Sequence, residues 1–193
     1  RPLPTAPFAP PNGPAARTPA FTTCKTCWAL SKVAYIAIGS NLGDSIATVR
    51  SAFEQLQFLS QSAVLRSSLW RSTPVNCPEG SPDFINAVAG IVPAEEETPE
   101  SLLVKCQALE IEAGRRPKVV MNEPRPLDLD LISFGEEQRT SSALTLPHPR
   151  FHERRFVLAP LAEIAPEALL PGQTRSVAEL LSALETDELL TPL

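Results

Sequence analysis

The run Leu127-Asp128-Leu129-Asp130-Leu131 alternates leucine and aspartate without a break. Side chains on an extended strand alternate between faces, so both carboxylates point one way and the three leucines the other. Two acids with Cα atoms about 7 Å apart converge on a hard cation. Mg²⁺ takes one or two carboxylates and completes its shell with water and substrate phosphates. The same pattern also describes a solvated outer strand face, and the flanking residues favour the metal. Arg115, Arg116, Lys118 and Arg125 lie upstream, and His148, Arg150, Arg154 and Arg155 downstream. Guanidinium groups grip phosphate oxygens in pairs, and arginines together with metal ions stabilise the charge that develops in phosphoryl transfer. The predicted chemistry is metal-assisted transfer at a phosphate.

Three other features have a chemical and a structural reading. Gly39-Ser40-Asn41-Leu42-Gly43 lies between a strand and a helix like a phosphate loop, but lacks the Gly-Lys-Ser/Thr ending of that motif. A tight turn that needs glycine at 39 and 43 is the expectation. Asn86, alone among apolar neighbours, is either a core amide satisfied by backbone or an amide presented to a heterocycle. Cys24 and Cys27 follow a proline-rich stretch and have no second pair to complete a metal site, so they read as two unpaired thiols.

The elements that must hold these residues follow from periodicity and caps. Val33 to Ile38 reads as a buried strand; Asp44 caps a helix in which Ile46, Val49, Phe53 and Leu56 recur at helical spacing. A strand is expected around Val64 to Arg71. Another runs from Phe84 to Val92, with Phe84, Asn86 and Val88 on one face and Ile85, Ala87 and Ala89 on the other. Thr98-Pro99 opens a helix that Gly114 ends, and Leu127 to Phe134 is a strand closed by Gly135. Beyond Leu144 to Leu146 the chain reads as mostly helix, the last opened by the Ser176–Glu179 capping box. The order βαββαβ, with strands in pairs between single helices, predicts an α+β sandwich with a mainly antiparallel sheet.

Residues 1–32 are rich in Pro, Ala and Thr with no apolar period, and a disordered tail is expected there, either a targeting remnant or an upstream linker. The domain proper is expected at 33–193. The full chain's 43% hydrophobic content suffices for a packed core. A net charge of −5 argues against a nucleic-acid partner, and no apolar run approaches the roughly 20 residues that span a bilayer. A soluble, cytoplasmic protein is expected.

Six pieces in order resemble one family. They are Tyr35-Ile-Ala-Ile-Gly-Ser-Asn-Leu-Gly-Asp44, Pro74-Val75, Pro82-Asp-Phe-Ile-Asn-Ala-Val88, Gly114-Arg115, Pro124-Arg-Pro-Leu-Asp-Leu-Asp-Leu131, and Leu144-Thr-Leu-Pro-His-Pro-Arg150 followed by His152-Glu-Arg154. Together they resemble the 6-hydroxymethyl-7,8-dihydropterin pyrophosphokinase family. The resemblance implies a ferredoxin-like αβα sandwich, ATP as co-substrate, two Mg²⁺ ions, AMP as leaving group and a functional link to a dihydropteroate synthase. It implies that Asp128 and Asp130 hold the metals and that Arg115 and Arg125 assist transfer. ATP contacts are implied for Gln107, Glu110, Arg115, Arg125, Thr145, His148 and Arg154. Asn86 would bond the pterin edge, Phe84 and Phe156 would sandwich its ring, and Ser72, Thr73 and Val75 would add contacts. The pattern departs at Pro117, Asn122 and Glu123, where a second arginine, a tryptophan and a glycine are common, and this bears on closure of a loop over ATP.

Overall fold

Alternating burial along Ala34–Ser40 makes β1 a two-sided central strand: Ala34, Ile36 and Ile38 enter one core and Tyr35 and Ala37 another. The computed structural model describes residues 32–74, 77–78, 80–116 and 123–193. The expected tail up to Ser31, the Cys24–Cys27 pair, Val75, Pro117 and Asn122 lie outside the described residues. Lys32 is anchored, its Nζ 4.5 Å from the Phe134 ring centre and 3.1 Å from the Glu97 carbonyl.

Around β1 the sheet runs in the order β5-β1-β4-β3-β8, all neighbours antiparallel. These are β3 (Trp70–Ser72), β4 (Phe84–Ile91), β5 (Asp128–Phe134) and β8 (Leu190–Pro192), with β2 (Leu65–Arg66) also paired to β4. With β5 beside β1, the expected ferredoxin-like βαββαβ sandwich is present. A separate ribbon joins β6 (Arg139–Thr140) to β7 (Thr145–Leu146).

One expectation needs correction. The strand predicted around Val64 to Arg71 is split, because Arg66 faces Ala89 while Trp70 faces Asn86, leaving one extra residue on that edge. Ser67 supports the bulge, its Oγ accepting the Val88 N–H at 2.9 Å.

Helix α1 (Ser45–Gln57) starts where Asp44 Oδ1 accepts the Ala47 N–H at 3.0 Å. Helix α2 (Pro99–Glu112) starts at the Thr98–Ser101 capping box. Both pack on the face bearing Ile36, Ile38, Ile85, Ala87, Leu129 and Leu131. The opposite face carries Val88 and Ile132 under α3 (Arg155–Ile164) and α4 (Val177–Ala183). Helix α3 covers only part of that face. Phe84, Asn86, Asp128 and Asp130 extend it beyond the helix, and a cleft opens there. Among the described residues no helix is long and apolar enough to cross a membrane.

Candidate active site

The cleft, of about 310 Å³, has Gly39 as its floor. Gly39 pairs with Asn86 on one side and Asp128 on the other. A Cβ there would stand 3.7 Å from Asn86 Oδ1, 3.8 Å from Asp128 Cβ and 3.9 Å from Phe84 Cδ1. Gly39 is therefore not the turn glycine expected: it lies within a strand and leaves room between the Asn86 and Asp128 side chains. Gly43, at φ 74°, is the turn glycine.

On the acidic side, Asp128 and Asp130 share one face of β5 as the alternation predicts, while Leu127, Leu129 and Leu131 are buried on the other. Asp128 is held between two arginines: Oδ1 accepts from Arg115 Nη1 at 2.7 Å and Oδ2 from Arg125 Nη1 at 2.9 Å. The end of α2 delivers Arg115. Gly114 at φ 95° turns the chain, its N–H bonding to the Ile111 carbonyl at 2.9 Å and the Arg115 N–H to Glu110 at 2.9 Å, the Schellman pattern. A buried asparagine delivers Arg125. Asn41 Oδ1 accepts the Arg125 N–H at 2.8 Å, the Asn41 backbone N–H donates to the Arg125 carbonyl at 3.2 Å, and Nδ2 donates to the Pro82 carbonyl at 3.3 Å.

Asp130 faces Arg154 at 3.8 Å. Burial and then the neighbouring Asp128 carboxylate raise its pKa to about 6, with Arg154 opposing. Below the pair, buried Glu110 bonds Arg115 and accepts the Leu129 N–H at 2.7 Å. Burial pushes its carboxyl up to about 7. His148 is the opposite case: burial first, then Arg154 and Arg150, lower its pKa to about 4. Its ring is neutral near pH 7. The Arg150 N–H lies 3.2 Å from His148 Nδ1, which leaves the proton on Nε2.

The other side is aromatic with a polar rim. Phe84 on β4 and Phe156 in the first turn of α3 supply aromatic surface, with Ser72, Thr73 and Asn86 around them. Asn86 Nδ2 donates to Ser72 Oγ at 2.9 Å, which leaves Oδ1 over the Gly39 floor. Of the residues the sequence points to, the cleft walls bring together Ser72, Thr73, Phe84, Asn86, Arg115, Arg125, Asp128, Asp130, His148, Arg154 and Phe156. Gln107 on α2 and Thr145 on β7 are exposed and Glu110 is buried behind Asp128, and none of these three lines the walls. Sequence reasoning missed Asn41 and Glu188. The first has a signal, a lone amide between a strand and a helix cap; Glu188 has none.

The donors suit Mg²⁺. Among the described residues no three His, Cys, Asp or Glu side chains gather as a closed metal site. Two carboxylates beside a phosphate-sized, arginine-lined space match an ion that draws its remaining ligands from water and phosphate.

Residues 35–166 match the family described as 7,8-dihydro-6-hydroxymethylpterin-pyrophosphokinase. The chain belongs to that family. The 2-amino-4-hydroxy-6-hydroxymethyldihydropteridine pyrophosphokinase of Haemophilus influenzae is 40% identical over 140 residues, 72% of this chain and 85% of the relative. The Bacillus subtilis pyrophosphokinase is 39% identical over 136 residues, 70% and 79% of the two chains. The folic acid synthesis protein fol1 of Pneumocystis carinii is 36% identical over 148 residues, 77% of this chain but 20% of that protein. The Plasmodium falciparum HPPK-DHPS crystal structure with pteroate shares the fold, with a TM-score of 0.60 at 11% identity over 79% of this chain and 44% of that one. The two pyrophosphokinase relatives are thus matched over 79% and 85% of their own length, whereas the match covers 44% of the HPPK-DHPS chain.

Proposed function

We propose that the protein transfers the pyrophosphoryl group of ATP to the hydroxymethyl oxygen of 6-hydroxymethyl-7,8-dihydropterin, a step of folate synthesis. The hydroxymethyl oxygen bonds to the β-phosphorus, the bridge to the α-phosphate breaks, AMP leaves and the hydroxyl proton passes to solvent. One observation carries this reading. The paired acids with their arginines and the aromatic–amide pocket meet across Gly39, so a polyphosphate and a flat polar ring would abut there.

The nucleophile belongs to the substrate, so the protein works by positioning and charge stabilisation. Asp128 and Asp130 would hold two Mg²⁺ ions, which when bound neutralise phosphate charge and orient the chain of phosphates. Arg115 and Arg125, now on Asp128, are placed to grip phosphate oxygens. Neutral His148 offers Nε2–H to the same groups, and Arg154 adds a further charge. Gln107, Glu110 and Thr145 complete the proposed nucleotide contacts. Asn86 reads the pterin edge through Oδ1, Phe84 and Phe156 stack on its ring, and Ser72, Thr73 and Val75 line its rim. The product carries pyrophosphate as a leaving group, which suits displacement by a dihydropteroate synthase. The HPPK-DHPS relatives support that link, and the cytoplasm, where ATP is plentiful, is the proposed location.

Product analysis after mixing the protein with ATP, Mg²⁺ and the hydroxymethyl pterin tests the reading. AMP and a pterin diphosphate are expected, both abolished in Asp128→Asn and in the presence of a chelator. ADP, or free phosphate with unchanged pterin, would refute it in favour of a simple kinase or a hydrolase. Pterin binding without turnover would leave only a binding module.

A further inference from the structure

The family match ends at residue 166, yet the chain returns to the cleft after that point. Beyond α4 it runs back along β3, where Ser72 faces Leu190, Arg71 faces Thr191 and the Thr73 N–H reaches the Leu189 carbonyl at 3.4 Å. One residue earlier, the Glu188 side chain joins the cleft wall, and Oε2 accepts the Arg155 N–H at 2.8 Å and the Phe156 N–H at 3.4 Å.

These bonds replace a cap that α3 lacks. The residue at its N-cap is Arg154, which makes no capping bond through its side chain and places a cation at the positive end of a helix. Glu188 supplies from a distant part of the chain the acceptor and the negative charge that this end requires. The first turn of α3 carries Phe156, whose ring lines the cleft and lies 5.6 Å from the Arg154 guanidinium. The same C-terminal segment holds Thr73 by its main chain on the opposite wall. The two walls of the proposed heterocycle pocket are thus tied together through the four consecutive residues Glu188 to Thr191.

We propose that Glu188 is a positioning residue of the pterin pocket: its carboxylate fixes the first turn of α3 and with it the Phe156 ring for stacking on the heterocycle. This rests on the function proposed above.

The test uses the full chain, with pterin binding followed by the pterin's own fluorescence and ATP binding measured separately, both with Mg²⁺. Glu188→Ala should weaken pterin binding about tenfold, the usual scale for a lost cap, and leave ATP binding within about twofold. Glu188→Gln, whose amide oxygen accepts the same two N–H groups, should recover most of the loss. Unchanged pterin affinity in Glu188→Ala would overturn the proposal. So would parallel loss of both ligands in both variants with lowered thermal stability, the sign of a merely structural residue. If the wild-type protein binds ATP but no pterin, the functional reading itself fails and the proposal with it, a result seen before any variant is compared.

Discussion

Asn41 is the residue whose removal should separate positioning from chemistry most sharply. It is 3% exposed and does not itself line the cleft, yet it bonds Arg125 through both main chain and side chain and bonds Pro82 on the neighbouring loop. Asn41→Ala removes two side-chain hydrogen bonds and leaves the Arg125 N–H and the Pro82 carbonyl without those partners. At about 1 kcal/mol net per bond, with up to about 3 kcal/mol for a group left dry, and water reaching part of this loop, the loss should be about 2–4 kcal/mol. Because Arg125 stands 2.9 Å from Asp128, a shift of its backbone misplaces a proposed transfer group, and kcat should fall about 10- to 100-fold. Urea unfolding reads the first effect and AMP formation under saturating substrates the second. The double variant Asn41→Ala with Arg125→Ala should turn over no more slowly than Arg125→Ala alone, since both act through one guanidinium. Asn41→Asp keeps the acceptor for Arg125 but sets an oxygen against the Pro82 carbonyl, so it should lose more stability than activity. Wild-type stability in Asn41→Ala, or kinetic losses that multiply in the double variant, would refute this reasoning.

Two further perturbations follow from the same geometry. His148 titrates near 4 in the fold against about 6.5 in the unfolded chain, so unfolding takes up a proton between those values and stability falls as the pH drops from 6.5 to 4. For a half-buried ring this amounts to about 2 kcal/mol; urea unfolding of His148→Gln at pH 7 and pH 4.5 should show a loss smaller by that amount, and equal losses would contradict it. Gly39→Ala should leave stability within about 1 kcal/mol, because a Cβ there meets only ordinary contacts, yet should weaken pterin binding about fivefold or more by filling the floor; fluorescence titration beside thermal unfolding decides, and unimpaired pterin binding would remove Gly39 from the site.

What the sequence made legible is what depends on neighbours in the chain. Period-two alternation placed Asp128 and Asp130 on one face and Phe84 with Asn86 on one face, because a strand's geometry is local. Asp44, Thr98, Ser176 and Gly114 marked helix ends for the same reason. What escaped is non-local. The break between β2 and β3 depends on Ser67 reaching Val88 across the sheet, and the purpose of Gly39 depends on strands 47 and 89 residues further along. Helix α3 has no side-chain cap of its own to announce it, since Glu188 supplies one from 33 residues away.

The charges of the cleft explain how one site can be stable empty and still receive a highly charged substrate. Asp128 without its arginines would be an uncompensated half-buried carboxylate, and Arg115 and Arg125 without Asp128 would repel each other across the same space. Paired, they neutralise one another at moderate desolvation cost. In the proposed reaction a metal-bound polyphosphate would present the complementary charges in the same region, with cations for the carboxylates and anionic oxygens for the guanidinium groups. Each pair can then exchange partners without leaving any charge unpaired, which a site lined by arginines alone could not do. Asp130 shows the cost where pairing is weak. Among the described residues its nearest cationic group is 3.8 Å away, and its pKa rises to about 6, so it holds a proton more readily than an ordinary aspartate, and a cation binding there below about pH 6 has that proton to displace.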